Sequence, residues 1–227
     1  MLNKLKIIAL MPMKGISERV PNKNLKFFHN TLLYEIVLKN LIKSDLINEI
    51  IINTDSNKIV NDIKSKYDDL VKILMRPKNI CGNYVSMNKI INYDIQNSDG
   101  DIYIQTHATN PLLTSKTIDS ALKKMIEFNS SKDFDSIFSV TKIQKRFYNS
   151  DAKPINHDPS MLVTQNLESM YEDNSCFYIF SKKSFLENNH RIGKKPFMFE
   201  LNKIESTDID DMDDFVIAEK LYESFNK

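Results

Sequence analysis

Along the first 140 residues, short apolar runs alternate with stretches in which apolar residues recur every three or four positions. "KIIALM" (6–11), "EIIINTD" (49–55), "VKILMRP" (71–77), "DIYIQTH" (101–107) and "DSIFSVTKI" (135–143) are runs rather than alternations. That pattern suits strands covered on both faces, as in a parallel sheet. Between them, "TLLYEIVLKNLIKSD" places Leu33, Ile36, Val37 and Leu41 on one helical face. Further helices are expected from Ser56, which can cap one, over 86–96 and over 115–128. The alternation predicts an α/β, doubly wound, mostly parallel sheet.

From Gln144 to Asn174 the period fails. The segment has two prolines and many polar residues, and a structureless run of that length does not belong inside a compact domain. It reads as a protruding arm, packed on a partner subunit or over the site. Regular structure resumes with strands at 175–182 and 195–201 and a last helix in "DMDDFVIAEKLYESF". The expected organisation is thus an α/β half over 1–143, an arm over 144–174, and a return to the main domain over 175–227.

Composition narrows the class. A hydrophobic fraction of 41% supports a real core, and no run approaches the ~18 apolar residues of a membrane span. A net charge of +1 argues against a general nucleic-acid or membrane binder. Cys81 and Cys176 are too few for a disulfide framework or zinc site, so the expected compartment is the cytoplasm. Cys176 in an apolar run reads as a small buried hydrophobe. His107 and His157, in polar loops, read as hydrogen-bonding or solvated residues.

The charge is nevertheless uneven. "MPMKGISERVPNKNLK" (11–26) gathers Lys14, Arg19, Lys23 and Lys26 against one acid, Glu18, directly after a strand. "ESTDIDDMDDF" (205–215) is densely acidic. In an open α/β sheet, ligands bind beyond the carboxyl ends of strands. Residues following the expected strands include the basic loop, Thr54, Asp55, Arg76, Gln105, His107, Thr109 and Asn110. The loop is neither a Walker A sequence nor a dinucleotide G-x-G-x-x-G. Side-chain cations must therefore hold an anion, with Ser17 as a hydroxyl donor and Gly15 allowing close backbone approach. Glu18 is read as pairing with a neighbouring cation and Lys26 as a solvated surface lysine. In "TDIDD", carboxylates at i and i+2 project to one side, and hard oxygen ligands suit Mg²⁺. Asp211, Asp213 and Asp214 serve equally well as acids in a first helical turn.

Several motifs, in order over 200 residues, resemble the acylneuraminate cytidylyltransferases (CMP-sialic acid synthetases) and their CMP-Kdo and pseudaminic-acid relatives. "ALMPMKGISERVPNKNLK" resembles that family's "PARGGSKRIPRKN" loop, and "LMRPKNICGNYVSM" its "RP-x-x-L-A-x-D" segment. "IYIQTHATNPLL" is similar to its "LLQPTSPLR" element, "YEDNSCFYIFSK" to its "NGAIYI" strand, and "ESTDIDDMDDFVIAE" to its ending.

The resemblance implies a Rossmann-like nucleotidyltransferase that moves CMP from CTP to a sugar acid. It implies that Lys14, Ser17, Arg19 and Lys23 hold the phosphates. Asn24, Arg76 and Ser86 would lie near the cytosine or ribose, and Gln105 and Asn174 would face the sugar. Asp208 and Asp210 would hold Mg²⁺, and the arm would make a homodimer. The departures are Lys14 for an arginine, Ile16 for a glycine, Glu18 for a lysine and Asn83 for an acid. The sugar-side arginine of sialic-acid enzymes falls near Thr164, and "SPLR" is "NPLL", so no carboxylate partner is evident at those places. Two other readings stay open: a transferase for another nucleotide or acceptor, and a weakened nucleotide-binding protein.

Overall fold

The computed structural model describes residues 5–160 and 163–225. Its strands are β1 (Ile7–Leu10), β2 (Phe27–Phe28), β3 (Thr31–Leu32), β4 (Glu49–Thr54), β5 (Lys72–Met75), β6 (Ile102–Thr106), β7 (Ser136–Ile143), β8 (Met170–Ser181) and β9 (Pro196–Leu201). Its helices are α1 (Leu33–Ile42), α2 (Asn57–Tyr67), α3 (Met87–Gln96), α4 (Ser115–Ser131), α5 (Lys182–Asn188) and α6 (Met212–Phe225). Every strand and helix expected from the pattern is present. The small β2–β3 hairpin and α5 are additions, too short to leave a period.

Seven strands form one sheet in the order β5-β4-β1-β6-β8-β7-β9. Only β8 runs against its neighbours, being antiparallel to both β6 and β7. Both faces of its central strands are covered, which is why those strands read as apolar runs. Ile7, Ala9 and Ile50 pack with Val37, Ile59 and Leu122 from α1, α2 and α4. Their neighbours Ile8, Leu10 and Ile51 pack on the other face with Ile91 and Ile95 of α3 and Phe185 of α5. A third cluster seats Phe215 and Ala218 of α6 against Phe28, Leu33 and Ile36, with Ile209 among them. That packing fixes the acidic turn beside the loop after β1.

β8 begins at Met170, inside the segment expected to be irregular. Its first four residues pair with Val140–Ile143 of β7, and the ladder then shifts between Phe138 and Val140. Along that shift β8 advances five residues, from Asp173 to Tyr178, while β7 retreats two. Ser175 takes a positive φ of 57° there. Asn174 seats this bulge: its Oδ1 accepts from Ser139 Oγ at 2.6 Å, and its Nδ2 donates to Thr141 Oγ1 at 3.0 Å. Beyond Ile143 the chain leaves the sheet and turns through a bridge between Tyr148 and Pro154. Met161 and Leu162, two apolar residues of this arm, lie outside the described residues.

Candidate active site

The loop after β1 continues the parallel ladder before it turns. Met13 bridges to Thr54, and its amide donates to Asn53 O at 2.9 Å. Gly15 then passes so near α2 that a Cβ would lie 2.6 Å from that of Ser56, while its N–H donates to Asp55 Oδ1 at 2.7 Å. The one glycine of the loop is thus set by close approach. Pro21 and Asn22, the latter left-handed at φ 53°, reverse the chain. A single 3₁₀ turn, Lys23–Leu25, then carries Lys23 and Asn24 inward. Asn24 Nδ2 closes the loop on Lys14 O at 2.8 Å.

The result is a recess of about 320 Å³ lined by Lys14, Ile16, Ser17, Glu18, Arg19, Lys23 and Asn83. All four residues expected to meet phosphate line it. A second hollow of about 590 Å³ shares Lys14, Glu18 and Asn83 and extends to Asp55, Ser56 and Lys58. Asn83 joins the two. Its Oδ1 accepts from Lys14 Nζ at 3.2 Å and its Nδ2 donates to Glu18 Oε1. Glu18 is therefore bonded to an amide rather than a cation. Lys26 lies 5.5 Å over the ring of Phe215 rather than free in solvent.

The acidic turn closes the recess. Ile209 N donates to Thr109 O at 3.0 Å, and Asn110 Nδ2 reaches Asp208 Oδ1 at 3.4 Å. Arg19 Nη2 meets Asp210 Oδ1 at 2.5 Å. Lys23 Nζ donates to Ile209 O at 2.5 Å and Asp210 O at 3.3 Å. Burial pushes Lys23 down, against the opposing charges of Asp208 and Asp210. Burial pushes Asp208 up, and the neighbouring Asp210 adds to this. Asp211 and Asp214 have a different task. Asp211 Oδ1 accepts from Asp213 N and Asp214 N, and Asp214 Oδ2 accepts from Asp210 N and Asp211 N, so the pair caps α6.

Asp208 and Asp210 suit a hard divalent cation. They are two nearby carboxylates, one partly desolvated, and the buried Oδ1 of Asn110 beside them has no partner. Among the described residues no group of three or more His, Cys, Asp or Glu is arranged to hold a metal. Two protein carboxylates with the remaining positions left to phosphate and water is the usual provision for Mg²⁺.

The remaining expected residues fall into three settings. Arg76 is buried, donating from Nε to Asn53 Oδ1 at 2.7 Å and from Nη2 to Met13 O and Asn53 O. It braces the floor beneath the loop, and Asn53 passes the contact on to Asp94 at 2.5 Å. Ser86 is exposed and caps α3 through Asn88 N at 3.3 Å. Gln105 is fully buried beneath two residues that sequence reasoning did not bring together, His107 and Arg191. Arg191 lay in a polar stretch with no motif to mark it. His107 is pushed down to about 4 by burial and by the charge of Arg191, so its ring is neutral at pH 7.

A family model described as Cytidylyltransferase matches residues 8–224. A pseudaminic acid cytidylyltransferase from Campylobacter jejuni is 27% identical over 226 residues, covering 96% of this chain and 97% of that protein. An N-acylneuraminate cytidylyltransferase from Escherichia coli is 24% identical over 98% of this chain and 53% of its own length. Among solved structures, a CMP:2-keto-3-deoxy-manno-octonic acid synthetase in complex with CTP superposes with a TM-score of 0.69 at 12% identity, over 97% of this chain and 99% of the other.

Proposed function

The chain belongs to the cytidylyltransferase family, and on that premise we propose that it transfers CMP from CTP to a sugar acid of the sialic-acid-like, 2-keto class, releasing pyrophosphate. The observation that carries this reading is the 320 Å³ recess, in which Lys14, Ser17, Arg19 and Lys23 meet beside the Asp208–Asp210 turn. In the reaction a hydroxyl oxygen of the acid bonds to the α-phosphorus and gives up its proton to water, the α–β phosphoanhydride breaks, and pyrophosphate departs. Such chemistry asks the protein for position and charge rather than a nucleophile. In this reading Lys14, Arg19 and Lys23 stabilise the charge that gathers on the leaving pyrophosphate, and the hydroxyl of Ser17, which lines the same recess, donates a hydrogen bond to it. Mg²⁺ on Asp208 and Asp210 would neutralise phosphate charge and lower the pKa of a bound hydroxyl.

The family relationship and the apolar residues of the arm support a cytoplasmic homodimer. Tyr148, Ile155, Val163, Met170 and Tyr171 are exposed there. No helix among the described residues is long and apolar enough to cross a membrane.

The test is a pyrophosphate-release screen with CTP and Mg²⁺ against pseudaminic acid, N-acetylneuraminic acid and Kdo, with UTP, GTP and ATP as nucleotide controls. Release that depends on CTP and one of these acids is expected. No release with any acid would sink the reading.

A further inference from the structure

Arg191 sits on the loop between α5 and β9, and that loop is pinned on both sides of it. Asn189 ends α5 in a left-handed conformation, and Arg191 N donates to Asn88 Oδ1 of α3 at 3.2 Å. Just beyond, Gly193 N donates to Ser136 Oγ, and Lys194 N and Lys195 N donate to the carboxylate of Asp135. The side chain is equally fixed. Its guanidinium lies 3.6 Å from the ring centroid of Tyr178, stacked as a cation on an aromatic face, and Nη1 donates to Gln105 Oε1 at 2.6 Å.

This guanidinium lacks an anion. Among the described residues no carboxylate lies within ion-pair distance, and Gln105 takes one of its five N–H donors. Asp173 acts on it only from beyond ion-pair distance, and its carboxylate accepts from the Tyr178 hydroxyl at 2.8 Å and 2.9 Å. Burial of Arg191 works against its charge. A rigid, partly desolvated cation with donors to spare is costly unless an incoming group completes it.

The position is at the site. Arg191 and His107 together cover Gln105 at the carboxyl end of β6. From His107 the same loop runs to Thr109 and Asn110, which hold the Asp208 turn. Three residues span at most about 11 Å. The phosphate recess, with its own cations, meets the same turn through Arg19 and Lys23. The planar guanidinium fork matches a carboxylate in two parallel hydrogen bonds.

We propose that Arg191 receives the carboxylate of the acceptor, held in place by Tyr178 and Gln105 and flanked by the neutral ring of His107. This inference rests on the sugar-acid reading above. It assigns a carboxylate anchor outside the positions where the family pattern lacks one.

The test compares wild type, Arg191→Ala and Arg191→Lys with whichever acid of the panel releases most pyrophosphate, and with the C1 methyl ester of that acid. Arg191→Ala should raise the acceptor KM on the order of ten- to a hundredfold, as loss of hydrogen bonds to a charged group implies. The CTP KM should stay within about twofold, since that binding is untouched. Arg191→Lys keeps the charge without the fork and should show a smaller rise, which covers the case in which the alanine variant fails to fold. The ester, already poor with wild type, should lose nothing further on substitution. An acceptor KM unmoved in both variants, or acid and ester penalised alike, would overturn the proposal while leaving the reaction intact. No pyrophosphate release by wild type with any acid would overturn the proposed function, and the anchor with it.

Discussion

The guanidinium of Arg19 lies 2.5 Å from the carboxylate of Asp210, across 191 residues of sequence. One belongs to the basic loop and the other to the acidic turn, and both side chains are more than half exposed, 64% and 54%. An exposed pair of this kind contributes at most about 1 kcal/mol. A pair this weak would open readily for the proposed phosphate at Arg19 and metal ion at Asp210. Asp210→Asn should therefore lower pyrophosphate release on the order of a hundredfold, yet shift Tm by no more than about 3 °C. Asp213→Asn, on the outer side of α6's first turn, should leave both nearly unchanged. Equal turnover for Asp210→Asn and wild type would remove Asp210 from the site.

Arg19 and Lys23 look alike in the sequence but stand in different surroundings. Lys23 is buried, and its Nζ holds the carbonyls of Ile209 and Asp210. Lys23→Ala leaves a buried carbonyl without its donor and should cost about 1–3 kcal/mol of stability as well as CTP affinity. Arg19→Ala should spare stability and weaken CTP binding more than cytidine binding. That difference should shrink at high salt, because exposed charges are screened over about 10 Å. Chemical denaturation and calorimetry at two salt concentrations separate the variants. Matching stability losses would contradict this division of labour.

Asp94 should make stability depend on pH. It has no solvent exposure, its Oδ2 is unpartnered, and burial pushes its carboxyl up to about 7 despite the donation from Asn53 and the charge of Arg76. The unfolded chain releases this proton near pH ~4. Between about 4 and about 7, folding takes up a proton, so this group's contribution to stability falls as pH rises through that window and levels off above it. Asp94→Asn keeps an oxygen for Asn53 and should flatten this part of the slope. Tm measured at intervals across that window for both proteins decides it; parallel curves would refute it.

The arm should carry self-association. Tyr171 and Met170 are exposed where β8 leaves the core, with Tyr148, Ile155 and Val163 beyond. Tyr171→Asp or Phe147→Asp should shift a dimer toward monomer in light scattering at micromolar protein. Wild type that scatters as a 26 kDa monomer at every accessible concentration would overturn the dimer.

The sheet was legible in the sequence because burial of the central strands on both faces leaves apolar runs, and β1, β4, β6 and β7 sit within a residue or two of them, as do the more exposed edge strands β5 and β9. The recess was legible because the carboxyl ends of strands gather whatever follows them. Geometry among side chains was not. Nothing in the chain announces that Asn83 stands between Lys14 and Glu18, yet that contact makes sense of two departures at once. An amide can donate a hydrogen bond to Glu18 while accepting one from Lys14, and an ionised carboxylate at 83 could only accept. Arg191 was hidden for a similar reason. Its meaning comes from Tyr178 and Gln105, placed beside it by the one reversed strand and by the end of β6.

β8 belongs to two regions at once. Residues from Phe177 onward are clamped between β6 and β7, whereas Met170–Asp173 hold to β7 alone, with the bulge at Asn174 and Ser175 between. Tyr178, on which Arg191 rests, is three residues past that pivot. The arm proposed to make the dimer and the bed of the proposed carboxylate anchor thus lie on one strand, on either side of that bulge.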